Sequence, residues 1–151
     1  MLNRLQAVFL SLHRHNVRYL VIGGIAAVVH GVPRATFDLD ILIDTTLDNA
    51  ELLLAALRDA ELGTAFQIEA DELLSNEITI FQDRVRIDVQ TRTPGLNFAD
   101  AWKNKETIHY RDHAFYVVSR EDLVKAKRAS GRKVDLEDVS LLELNQNSKQ
   151  E

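Results

Sequence analysis

The stretch Tyr19–Asp44, YLVIGGIAAVVHGVPRATFDLDILID, carries the pattern from which the rest of the chain is read. Tyr19 to Ile22 is short, apolar and partly β-branched, the composition of a buried strand. Gly23-Gly24 then permits a sharp turn and a close approach of backbone to a ligand. Ile25 to His30 makes a brief helix with Gly31 as its C-terminal cap. After Val32-Pro33, the run Arg34-x-Thr36-x-Asp38-x-Asp40 leads into Ile41-Leu42-Ile43, a second strand over about Thr36 to Ile43. Glycines that join a strand to a helix N-terminus offer backbone N–H groups to a phosphate. On the second strand, alternation places Asp38 and Asp40 on one face and Phe37, Leu39, Ile41 and Ile43 on the other. At ~3.3 Å per residue the two carboxylates originate roughly 6.6 Å apart. They can converge on one cation or bridge two. A solvated strand face with Arg34 as salt-bridge partner uses the same residues, and both readings stay open at this point.

Towards the N-terminus, Leu2, Leu5, Val8, Phe9 and Leu12 form a helical stripe, and His13, Arg14 and His15 mark its solvated end. On the other side, a turn at Thr45–Asp48 leads to an amphipathic helix over Asn49–Leu62, stopped by Gly63. A short strand is expected at Phe66–Ile68 and a simple connection at Asp71–Ser75. Glu77–Gln82 and Val85–Thr91 read as a hairpin across Asp83-Arg84. In its second strand Val85, Ile87 and Val89 face a core, so Arg86, Asp88 and Gln90 face away. Asp88 matters only if its strand lies beside the one carrying Asp38 and Asp40.

Further along, Phe98–Lys103 is a short helix expected to bury Trp102. Thr107–Tyr110 and Phe115–Val118 form a second hairpin around Arg111-Asp112-His113, with His109 and His113 read as surface residues. Ser119, with Asp122 three residues on, caps a helix that reaches about Ala129 and stops at Ser130-Gly131. A last helix starts near Asp135, and the polar tail from Asn145 to Glu151 is expected to fray.

The 151 residues are expected to form one α/β (α+β) domain, with a core over about 17–118 and a C-terminal helical pair over about 119–144. Composition is that of a globular protein, 46% hydrophobic and 27% charged, with no apolar run long enough for a membrane span. Neither a signal peptide nor cysteine is present, so the expected location is cytoplasmic, and no thiolate metal site is available. A net charge of −5 disfavours general nucleic-acid binding, which needs basic surface, while acidic residues gathered at a site would instead attract divalent cations.

Taken together, Gly23-Gly24, His30-Gly31, Arg34, Thr36, Asp38 and Asp40 resemble the core motif of the nucleotidyltransferase superfamily typified by DNA polymerase beta, in its small prokaryotic branch. The resemblance implies a mixed sheet flanked by helices. It implies that Asp38, Asp40 and a third carboxylate, matched by Asp88, bind Mg²⁺ or Mn²⁺ and carry the catalysis. Gly23, Gly24, Arg34 and Thr36 would then hold the phosphates of a nucleoside triphosphate. After Val118 the chain is similar to abortive-infection toxin-type nucleotidyltransferases, with Lys127 in the position of a phosphate-contacting lysine. Two departures stand out. Ile25 follows the glycines where many relatives have a hydroxyl, and Val134 precedes Asp135 where a basic residue is usual. The implied activity is transfer of a nucleoside monophosphate to an acceptor hydroxyl on protein, RNA or a small molecule. The alternative is a catalytically silent module that binds nucleotide or a partner, as in a toxin–antitoxin pair, with a protein partner or a homodimer as its assembly.

Overall fold

The computed structural model describes residues 2–150, with side chains through Leu144. Six strands form one mixed sheet: β1 (Tyr19–Ile22), β2 (Leu39–Ile43), β3 (Ile78–Gln82), β4 (Arg86–Gln90), β5 (Glu106–Tyr110) and β6 (His113–Val117). Their order across the sheet is β3-β4-β2-β1-β6-β5. β1 runs antiparallel to β2 and parallel to β6, and β2 runs parallel to β4. The helices are α1 (Gln6–Arg14), α2 (Gly23–Val29), α3 (Leu47–Asp59), α4 (Ala70–Ser75), α5 (Phe98–Lys103), α6 (Arg120–Ser130) and α7 (Lys133–Gln150). Among the described residues no helix is long and apolar enough to cross a membrane.

The apolar pattern explains the layering. Register pairs Phe81 with Ile87 and Ile87 with Leu39, and likewise Val89 with Ile41, so these residues share one face. All of them are buried, in one core with Phe9 and Leu12 of α1 and Leu53 and Leu57 of α3. Phe9 stacks on Phe115 of β6 with ring centroids 4.4 Å apart. The opposite face carries the row Ile80, Asp88, Asp40 and Ile22. That face is open at its β3–β4 end, where Ile78 and Ile80 are half exposed.

Local signals set the helix ends. The side chains of Thr46, Asn97 and Ser119 each accept a hydrogen bond from the backbone N–H three residues on, which starts α3, α5 and α6. Gly131 ends α6 at φ +68, in the left-handed region that glycine enters at least cost.

Several expectations are corrected. The strand expected from Thr36 begins only at Leu39, because Pro33 and the residues after it stay outside the ladder. Asp38 therefore precedes the strand, and Phe37 is exposed instead of facing the core. Phe66–Ile68 is not a strand. A 3-10 turn spans Gly63–Gln67, held by Arg58 donating to the Ala65 and Ile68 carbonyls. Asp71–Ser75 belongs to α4, which buries Ala70 and Leu73 against α3. The second hairpin is tighter than expected, because Arg111 turns it at φ +55 and the second strand begins at His113, paired with Tyr110, instead of at Phe115. His113 is buried rather than superficial, since that register brings it against Phe9 and Tyr110. Trp102 is only part-buried, with the Lys105 ammonium 4.0 Å from its ring centroid. α7 starts two residues before Asp135 and its backbone continues to Gln150. The side chains of residues 145–150, and all of Glu151, lie outside the described residues, and so does the expectation of fraying there.

Candidate active site

β1 and β2 are antiparallel neighbours, so the chain that leaves β1 at Ile22 emerges beside the start of β2, where Asp40 stands opposite Ile22. The turn there needs glycine twice over. Gly23 sits at φ +67, and a Cβ built on it would lie 2.4 Å from Asp40 Oδ2. Any side chain at residue 23 would displace the carboxylate. At Gly24 a Cβ would lie 2.9 Å from Thr36 Oγ1, so the second glycine lets Thr36 pack on the start of α2.

Asp88 belongs to a distant part of the sequence, yet it is the direct register partner of Asp40 on the adjacent parallel strand. Neighbouring strands are about 4.8 Å apart, so the two carboxylates leave the same face side by side. Asp38 joins them from the chain just before β2. Arg86, two residues before Asp88 and on the same face, donates from Nε to Asp88 Oδ1 at 2.9 Å and from its terminal nitrogen to Oδ2 at 3.3 Å. The same Nε lies 3.9 Å from Asp38 Oδ2. Asp38 and Asp88 are thus bridged by one guanidinium, and among the described residues Asp40 has no such partner. Burial, then the charges of Asp88 and Asp38, push its carboxyl up to about 7, although Arg86 and Arg132 pull it part of the way back.

Facing these carboxylates is the corner between α6 and α7. A cleft of about 360 Å³ separates the two walls, with Gly23, Asp40 and Asp88 on the sheet side and Lys127, Ser130 and Arg132 on the helix side. Lys127 is buried, with Nζ 2.8 Å from Asp138 Oδ2 and 3.3 Å from Asp135 Oδ1. Burial pushes the Asp135 carboxyl up, but hydrogen bonds from Arg132 and Ser130 and the charge of Lys127 outweigh it and hold the group below the ordinary carboxylate range. Arg34 is not the salt-bridge partner of the aspartate pair. Its guanidinium donates to Asp138 at 2.7 Å and ties the segment before β2 to α7. His30 is buried behind the turn with Nε2 2.8 Å from the Val118 carbonyl oxygen, joining the end of α2 to the end of β6.

The structure therefore brings Gly23, Asp40, Asp88 and Lys127 to one cleft and sets Asp38 at its edge through Arg86. Gly24 and Thr36 pack on each other next to it, and Arg34 is spent on the helical corner. Sequence reading gave no site role to Arg86 or Arg132. Arg86 was signalled by its i, i+2 relation to Asp88 in Val85-Arg-Ile-Asp-Val89, where both fall on the polar face. Arg132 reaches the cleft because Gly131 turns the chain between α6 and α7.

The chemistry of this site suits a hard divalent cation in part. Asp40 and Asp88 offer adjacent carboxylate oxygens whose mutual repulsion a cation would relieve. Among the described residues, however, no three His, Cys, Asp or Glu side chains are gathered closely enough to hold a metal ion as they stand. The Arg86 guanidinium lies between Asp38 and Asp88.

The fold is similar to that of a solved protein from Thermotoga maritima described as a "putative nucleotidyltransferase". The match has a TM-score of 0.59 at 18% sequence identity and covers 97% of this chain and 92% of that one. The likeness defines an α/β, nucleotidyltransferase-like fold. The chain belongs to the family described as nucleotidyltransferase of unknown function (DUF6036), whose family model matches residues 2–148. A search of curated proteins gives no significant match.

Proposed function

We propose that the protein is a divalent-cation-dependent nucleotidyltransferase that moves a nucleoside monophosphate from a nucleoside triphosphate to an acceptor hydroxyl. One observation carries this reading. The register-paired carboxylates Asp40 and Asp88 face Lys127, Arg132 and Asp135 of the helical corner across a cleft of about 360 Å³. The family described above supports a transferase of this general kind.

In the reaction the acceptor oxygen forms a bond to the α-phosphorus, the bond from that phosphorus to the bridging oxygen breaks, and diphosphate leaves. The hydroxyl proton must go to a base. Asp88, which lines the cleft beside Asp40, would take it. Asp38, Asp40 and Asp88 would hold Mg²⁺ or Mn²⁺, which supplies charge neutralisation and lowers the pKa of an attacking oxygen. Arg132, three-quarters exposed at the mouth, offers donors to departing phosphate oxygens, whereas Lys127 acts from beneath by fixing the corner.

A silent binding module, such as one half of a toxin–antitoxin pair, is the second reading. Lys127 and Arg34 being already satisfied by Asp138 favours it, because neither then has a free charge for triphosphate. Labelled transfer separates the two readings. An α-labelled nucleoside triphosphate should label an acceptor in cell extract when Mg²⁺ or Mn²⁺ is present, whereas a γ-labelled one should not. Asp40→Asn and Asp88→Asn should each abolish labelling. Nucleotide binding that needs neither cation nor carboxylate would sink the transferase reading and leave the binding module.

A further inference from the structure

The carboxylate cluster already contains a cation supplied by the chain. Arg86 makes two hydrogen bonds to Asp88, at 2.9 and 3.3 Å, and the same Nε stands 3.9 Å from Asp38. The fork is built into β4, since residues 86 and 88 are two apart and project from the same face of the strand. A planar guanidinium matches two carboxylate oxygens at once, which an ammonium cannot do. Arg86 therefore takes one acceptor site on each Asp88 oxygen and places a positive charge where a metal ion would compete with it. It also stands between Asp38 and Asp88, and no three-ligand cluster is preformed among the described residues.

We propose that Arg86 is the resident counter-cation of the site and a positioning residue. It holds Asp38 and Asp88 together in the absence of metal, and a divalent cation must displace it to bind. This rests on the proposal that the carboxylates bind a divalent cation, and it adds that the protein sets its own cation affinity by competition. The exchange costs the incoming ion the charge-assisted hydrogen bonds of one guanidinium. Side-chain exposure of 37% leaves Arg86 free to swing into solvent. Arg132 serves as a comparison, because it also acts on Asp40 by charge but hydrogen-bonds to Asp135 instead of Asp38 or Asp88.

The test is binding of Mn²⁺ alone to the full chain, without nucleotide, by calorimetry and by loss of the free-ion paramagnetic signal. Arg86→Gln should bind Mn²⁺ about tenfold more tightly than the wild type, the equivalent of losing one competing charge-assisted pair. Arg86→Lys keeps the charge but loses the fork, so it should show a smaller gain, and it replaces the glutamine variant should that one fail to fold. Arg132→Gln should gain less than Arg86→Gln. Equal or weaker Mn²⁺ binding in both Arg86 variants, with binding still abolished by Asp40→Asn, would overturn the role of Arg86 and leave the cation site standing. An equal gain from Arg132→Gln would also overturn it, because the effect would then be a general field. No Mn²⁺ binding by wild type or either Arg86 variant would overturn the cation site and this proposal together.

Discussion

Asp40 is a carboxylate on a central strand, flanked by Asp88 and Asp38, with a glycine in place of any side chain above it. Its raised pKa has a direct consequence for stability. Between the unfolded value of 3.8 and the folded value of about 7, the folded chain keeps a proton that the unfolded chain has shed. The contribution of Asp40 is therefore fully present below pH 3.8, is lost as pH rises towards 7, and levels off above it. In metal-free buffer, Asp40→Asn removes this term. Relative to wild type the variant should gain on the order of 2 kcal/mol as pH rises from 5 to 8, after discounting for partial exposure. Urea melts of both proteins across that range check the sign. Parallel pH curves for the two would show that Asp40 titrates normally.

At the scale of elements, the helical corner is closed by charge as well as by apolar contact. Lys127 of α6 bonds to Asp135 and Asp138 of α7, and Arg34, from the segment between α2 and β2, bonds to Asp138. All three α6 and α7 groups are about 95% buried, so a lost partner leaves a carboxylate with little water to replace it. Lys127→Met should cost about 2–3 kcal/mol, at or below the usual range for breaking a buried pair, because Arg132 and Arg34 still serve the two aspartates. Denaturant unfolding measures the loss. A variant as stable as wild type would mean that the network contributes specificity and not stability. The corner also explains why Lys127, which the sequence suggests as a phosphate contact, lines the cleft with its charge already balanced.

The whole molecule is arranged so that its most protected strands carry the site. β1 and β2 lie in the middle of the sheet with neighbours on both sides, whereas β3 and β5 form the edges. Amide hydrogen exchange should therefore be slowest in Leu20–Ile22 and Leu39–Ile43 and fastest, among strands, in β3 and β5. Exchange in β2 as fast as in β3 would contradict the sheet order. Such a gradient places Asp40 on a rigid strand, and Asp38 and Arg86 at the margin where side chains can rearrange.

How much of this was legible beforehand differs by kind of signal. Local patterns were readable: the glycine turn, the alternation that sends Asp88 and Arg86 to one face, and the Ser119 and Gly131 ends of α6 all follow from short-range backbone and side-chain sterics. The start of β2 was misplaced, because alternation persists through Thr36–Asp38 although no neighbouring strand pairs there. Alternation reports which faces would be apolar. It does not report where a hydrogen-bonded partner begins.

By itself, then, the sequence singled out the glycine turn, Asp38 and Asp40 beside it, and the family resemblance, all of which depend on residues close together in the chain. Only the tertiary structure decided that β4 lies parallel beside β2 and sets Asp88 opposite Asp40. It alone gave Arg34 to Asp138 and placed Arg86 between Asp38 and Asp88. The reason is physical: pairing across 48 residues, and the choice a guanidinium makes among several carboxylates, are set by sheet order and burial, and neither is written in any local window of the chain.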